Sequence, residues 1–261
     1  PISGRIGKSA VTQGALVESD NDFPTGAGLA SSASGFAALV TAGAIIAYIA
    51  SLALDPRAAL APRGVFDLLS PGGRALVALG MAGAVPWQAG HWWTVLTAIY
   101  LHGSLLHILF NLLWIRQLLP DVGEVYGQAR TIVIFTLSGA AGFLLSNAAG
   151  NPFTLGASGA VFGVLGAMVW YGRRRGGLFG AAVLRQYGSW ALILFVVGLL
   201  PGMRVDNWGH AGGFLGGVLV ALLLGAGDRR PERGIHRVLA AACLALTAAA
   251  FALQLWTAFA P

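Results

Sequence analysis

Seven long apolar segments divide this chain, at roughly 35–54, 104–121, 130–149, 156–172, 188–203, 208–226 and 236–256. Each is near the length a helix needs to cross about 30 Å of hydrocarbon, which predicts a polytopic bundle with no sheet. The fourth and fifth are short, and the third, fourth and sixth are rich in glycine, which lets helix backbones approach closely where lipid gives no hydrophobic drive to association. Between the first two segments lie about fifty residues, Asp55 to Gly103, with prolines at 56, 62, 71 and 86. That is too long for an idle connection. The aromatic, amphipathic stretch Gly90–Tyr100 within it is expected to form a partly submerged hairpin at the membrane surface.

Composition agrees with this pattern. Residues are 56% hydrophobic and 10% charged, with mean hydropathy +0.73, which excludes an ordinary soluble domain. The net charge of +6 does not imply a nucleic-acid partner, because the arginines cluster between apolar runs. With the N-terminus placed in the cytoplasm, ten arginines fall on cytoplasmic loops and span ends: Arg116, Arg130, Arg173, Arg174, Arg175, Arg185, Arg229, Arg230, Arg233 and Arg237. Four, Arg57, Arg63, Arg74 and Arg204, fall on the other side. The bias predicts an N-terminus inside. Cys243 is the single cysteine and is expected to be buried and inert, so neither a cysteine-based metal site nor a disulfide within the chain is available. The first thirty or so residues are polar and Gly/Ser-rich, with no charged segment followed by an apolar core, so no cleavable signal peptide is expected there.

A few polar residues interrupt the apolar runs. Spans two, four and six all start on the external face, and there lie His107 and Asn111, Ser158, and His210. Four polar groups at one depth point to a water-accessible site, because such groups are costly in hydrocarbon. The alternative is a structural one, in which the same groups tie helices together. His107 and Asn111, four apart, share one helical face and can both donate to an oxyanion. Ser158, at a helix start, adds an outward backbone N–H, and His210 can take its proton. Gly156-x-Ser158-x resembles the nucleophile elbow of soluble hydrolases, but position 160 is alanine and no strand precedes it.

Over residues 40–230 the chain resembles the rhomboid family of intramembrane serine proteases. The resemblance rests on His102-Gly-Ser-Leu-Leu-His107-Ile-Leu-Phe-Asn111, Gly156-Ala-Ser158-Gly159 and His210-Ala-Gly-Gly213-Phe-Leu-Gly-Gly217. It implies an all-α bundle of six spans with one added C-terminal span. It implies Ser158 as nucleophile, His210 as general base, and His107, Asn111 and the Ser158 amide as oxyanion hole. Gly156, Gly159, Gly213 and Gly217 would serve helix packing. No metal or organic cofactor is implied, and the partners would be single-span membrane substrates and lipid, in a cell membrane of bacterial inner-membrane type. Asp206 reads as a loop residue at the external mouth, and His102 as a structural bond-maker. Where the family often has Trp-Arg the chain has Trp93-Thr94, which leaves the anchoring of the hairpin open. Phe162 replaces a tyrosine that often stacks on the catalytic histidine. A catalytically silent helix-binding relative is the rival reading, and a small transporter is a third, which an internal repeat and mid-membrane charges would mark.

A second, shorter likeness covers Ser19 to Leu39, which resembles the phosphate-binding loop of mevalonate diphosphate decarboxylases. With no rest of that enzyme following, the polar residues 1–33 are expected to be a fusion remnant or a disordered segment. Residues 34–230 would be the protease core and 231–261 the additional helix.

Overall fold

The computed structural model describes residues 29–61, 64–200, 205–225 and 231–259, with side chains from residue 34 onward. The phosphate-loop-like residues 19–28, and Arg63, Arg204, Arg229 and Arg230 of the charge count, lie outside the described residues. The described chain is helical throughout its long elements, as the apolar runs predict. These are α1 (Leu29–Leu54), α2 (Leu105–Tyr126), α3 (Gln128–Ala148), α4 (Ser158–Arg175), α5 (Gly177–Val197), α6 (Asn207–Leu224) and α7 (Gly234–Phe259). Six of them, all but α4, are long and apolar enough to cross a membrane. The protein is a multi-pass membrane protein.

Two boundaries differ from the sequence reading. The fifth span begins at Gly177 rather than near 188, so Arg185, expected in a loop, is helical. The break is the pair Gly176 and Gly177, both in the left-handed region at φ 64°, after which Leu178 to Gln186 continue as helix. The fourth expected span, α4, has only 18 residues and ends in Arg173, Arg174 and Arg175, so it falls short of a lipid-exposed span. Walled in by other helices, it has no need of a lipid-facing surface: Val161 to Met168 are all buried.

The centre of the bundle is the trio α3, α4 and α6, with α5 against α4 and α1 paired with α2. Phe36, Val40 and Ala44 of α1 are buried, and Phe36 meets Phe135 edge to face at 5.7 Å, so the start of span one is part of the core. α7 lies along α3 and reaches the connection between α1 and α2.

That connection is built of short helical turns, Pro56–Ala59, Gly73–Ala78, Ala84–Gln88 and Thr94–Thr97. Backbone bonds fasten it to the α3–α4 loop: Thr154 N–H donates to Ala82 O at 2.8 Å and Gly156 N–H to Ala98 O at 2.9 Å. On its other flank the added helix holds it. Trp93 Nε1–H donates to Gln254 Oε1 at 2.9 Å, and Gln254 Nε2 donates to Val77 O and Ala78 O, each at 3.1 Å. A glutamine 3% exposed in an apolar helix would be costly without partners, and here both ends of its amide are met. The side chain that fixes Trp93 therefore comes from α7.

Candidate active site

The seam between α4 and α6 is made of backbone. A Cβ on Gly213 would collide with the carbonyl of Gly159, and one on Gly217 with that of Gly163. Both pairs are four apart on their helices, so the two glycine rows face each other turn by turn. Ser158 precedes Gly159, and His210 lies three residues before Gly213 on the same face, so the seam brings their side chains together. Ser158 Oγ stands 2.9 Å from His210 Nε2. Phe162, one turn beyond Ser158, lies flat on the imidazole with centroids 4.2 Å apart and an interplanar angle of 16°. His210 Nδ1 has no hydrogen-bond partner among the described residues. A proton on Nδ1 leaves Nε2 free to accept from the serine hydroxyl.

Gly156 belongs to the loop ahead of α4 rather than to a helix seam. At φ +121° it suits only glycine, and a Cβ there would stand 2.7 Å from His107 Nε2 and 3.9 Å from Ser158 Oγ. The absent side chain leaves a notch flanked by these two atoms. His107 is held for it: Gly103 N–H donates to Nδ1 at 3.3 Å, so the ring proton sits on Nε2, facing the notch. Ser104 caps α2, its Oγ accepting from His107 N–H at 3.3 Å. Asn111 is buried one turn on, and its Nδ2 donates to the carbonyl of His107 at 2.9 Å, so one amide hydrogen is turned to its own helix. Gly159 N-terminally lines the seam, with Gly209 O 3.4 Å from where its Cβ would be.

His102, outside the spans, is fully buried and donates from Nδ1 to Tyr100 O at 3.2 Å, while its ring meets His107 edge to face at 5.1 Å. Burial, with the His107 imidazole adding to it, holds its pKa well below the ordinary histidine value, so it is neutral. A cavity of about 10 Å³ opens beside Ser158 and His210, close to the smallest space that holds one water.

Asp206 lies just outside α6, as the sequence reading has it, and there it is the helix's N-cap, accepting from Gly209 N–H at 2.8 Å. An Asp directly ahead of an apolar helical run is a capping signal that was present in the sequence. Its other partners, Ser146, Asn151 and Thr154, are 52 to 60 residues away and carry no local signal.

A family model of the rhomboid domain matches residues 89–227, a little over half of the chain. The chain belongs to the rhomboid family. Among its relatives, rhomboid protease GluP of Bacillus subtilis (strain 168) is 34% identical over 167 residues, covering 62% of this chain and 31% of that protein. Rhomboid-like protease 3 of Toxoplasma gondii is 35% identical over 158 residues, 57% of each chain. Rhomboid protease GlpG of Salmonella newport (strain SL254) is 32% identical over 133 residues, 50% of this chain and 48% of that one. The chain thus spans less than two thirds of each of these relatives. A second family model, the diphosphomevalonate decarboxylase-like N-terminal domain, matches residues 4–61, running past the Leu39 at which the residues alone end that likeness. That range takes in α1, which is nonetheless packed into the bundle.

Proposed function

We propose that this rhomboid is an intramembrane serine endopeptidase that cleaves single-span membrane proteins near the outer face. The observation that carries the proposal is the 2.9 Å approach of Ser158 Oγ to His210 Nε2, under the Phe162 ring and beside the Gly156 notch. Ser158 gives its hydroxyl proton to His210 Nε2 as Oγ attacks the scissile carbonyl carbon. The carbonyl oxygen, now negative, enters the notch and accepts from His107 Nε2–H and the backbone N–H of Ser158, which at the first position of α4 has no partner within the helix. His210 then protonates the leaving amine, and a water, deprotonated by the same imidazole, hydrolyses the acyl-enzyme. Asn111 steadies His107 through its carbonyl and can offer its second amide hydrogen.

A helical carbonyl is already hydrogen-bonded and shielded, so the substrate helix must unwind at the cut, which favours small or helix-breaking residues there. The arginine bias supports a cytoplasmic N-terminus and hence an outward-facing site. The test is cleavage of a single-span reporter in liposomes. Ser158→Ala and His210→Ala should each abolish it, with the double variant no worse than either, because the pair acts as a unit. Cleavage near the wild-type rate in either single variant would refute the mechanism.

A further inference from the structure

Asp206 takes no part in the proton transfer, yet its carboxylate gathers four donors. Oδ1 accepts from Gly209 N–H at 2.8 Å and Asn151 Nδ2 at 2.9 Å, and Oδ2 from Thr154 Oγ1 at 2.6 Å and Ser146 Oγ at 2.5 Å. The donors come from three segments: the end of α3, the α3–α4 loop and the first turn of α6. Ser146 is fully buried and also accepts from Asn151 Nδ2 at 2.9 Å, which closes the network. The loop carrying Asn151 and Thr154 runs into Gly156 and Ser158, while Gly209 adjoins His210. One side chain thus joins the approach to the nucleophile to the approach to the base.

We propose that Asp206 is the positioning residue that sets Ser158 and His210 in register, an inference that rests on the serine-protease reading above. It is not a third member of a triad, because His210 Nδ1 has no hydrogen-bond partner among the described residues. The glycine seam fixes how close α4 and α6 come, and the carboxylate fixes where the α4 approach sits along α6. Oδ1 must accept, since its partners, a backbone N–H and an amide nitrogen, can only donate, whereas the partners of Oδ2 are hydroxyls, which can donate or accept. Asparagine can reproduce the set, with Oδ1 accepting from Gly209 and Asn151 and Nδ2 donating to the two hydroxyls, which rotate. Alanine takes the acceptor from all four donors, leaving only the bond between Asn151 and Ser146.

The test measures kcat and KM on a single-span reporter in liposomes, together with the rate of fluorophosphonate adduct formation on Ser158 in the folded protein. Asp206→Ala should lower kcat and the adduct rate together by about ten- to a hundredfold, as a misplacement of the reacting groups by about an ångström does, with KM within about twofold. Asp206→Asn should stay within about threefold of wild type in kcat, since it restores the bonds. A folded Asp206→Ala protein with wild-type kcat and adduct rate, or with only KM raised, overturns the proposal. If Asp206→Ala does not fold, Thr154→Val removes one bond of the network and Ser146→Ala two, those to Asp206 and from Asn151. Each should then lower kcat by about two- to fivefold at constant KM, and an unchanged kcat in both overturns the proposal. Wild-type protein that forms no adduct overturns the serine-protease reading and this inference together. An adduct that forms equally fast in wild type and Asp206→Ala overturns this inference alone.

Discussion

The α4–α6 seam and the hairpin between α1 and α2 both bear on Ser158, and they are held in opposite ways. In the seam, glycine meets backbone, and a single Cβ on Gly213 or Gly217 has nowhere to go. In the hairpin, contact runs through a few polar side chains and backbone bonds: Trp93 and Gln254, Ala82 and Thr154, Ala98 and Gly156. Close packing has no soft mode, so the seam can only be right or lost. Hydrogen bonds can be cut one at a time at modest net cost. The contacts that fix the distance between Ser158 and His210 are steric, and those that hold the hairpin can be removed one at a time.

The largest effect is expected in the seam. Gly217→Leu drives a side chain into the Gly163 backbone, and the helices must part by more than the usual overpacking cost of about 1–3 kcal/mol covers. The folded yield should collapse and cleavage disappear, as read by thermal unfolding in detergent and a reporter assay. Gly35→Ala, at a helical glycine with no atom near its missing Cβ, is the control and should be neutral or slightly stabilising. Comparable losses at both positions would mean that the seam is not special.

Between the two regions stands His107, on α2 but pressed against the loop that the hairpin holds. His107→Ala should lower kcat by roughly ten- to a thousandfold, the range for loss of one oxyanion donor. The thermal midpoint should move far less than in Gly217→Leu. A rise in KM alone would make His107 a substrate contact instead.

The hairpin should show a smaller and graded response. Gln254→Leu strands Trp93 Nε1 and two carbonyls, so a destabilisation of about 2 kcal/mol is expected from the buried polar groups left unmet. Cleavage should persist at a reduced rate. Hydrogen exchange at Val77 to Trp93 would rise selectively, while α4 and α6 stay protected. Uniform loss of protection across the bundle would show that the hairpin and the seam unfold as one.

What the sequence disclosed follows the same division. The helical bundle was legible because an apolar run of membrane length has one economical fold, and the glycine spacing in α4 and α6 shows in the chain itself. Ser158, His107, Asn111 and His210 stood out as polar residues in apolar surroundings. The start of α5 was missed because Arg185 and Gln186 interrupt the apolar run that Leu178 to Leu184 begins. The role of Gln254 was missed because a bond from residue 254 to residue 93 leaves no periodic trace, and the Asp206 network was hidden for the same reason.

The smallest effect is expected outside both regions. Deleting residues 1–28, which precede α1 and contain none of the site residues, should leave cleavage unchanged, with or without added nucleotide. A nucleotide-dependent rate seen only in the full chain would give the decarboxylase-like segment a regulatory role.

The central claim, that Ser158 is a nucleophile activated by His210, is tested most directly by locating a fluorophosphonate adduct by peptide mass spectrometry. The prediction is one adduct on Ser158 in the wild-type protein, and none in folded His210→Ala protein under the same conditions. An adduct on another residue, or equal labelling of Ser158 without the imidazole, would contradict it.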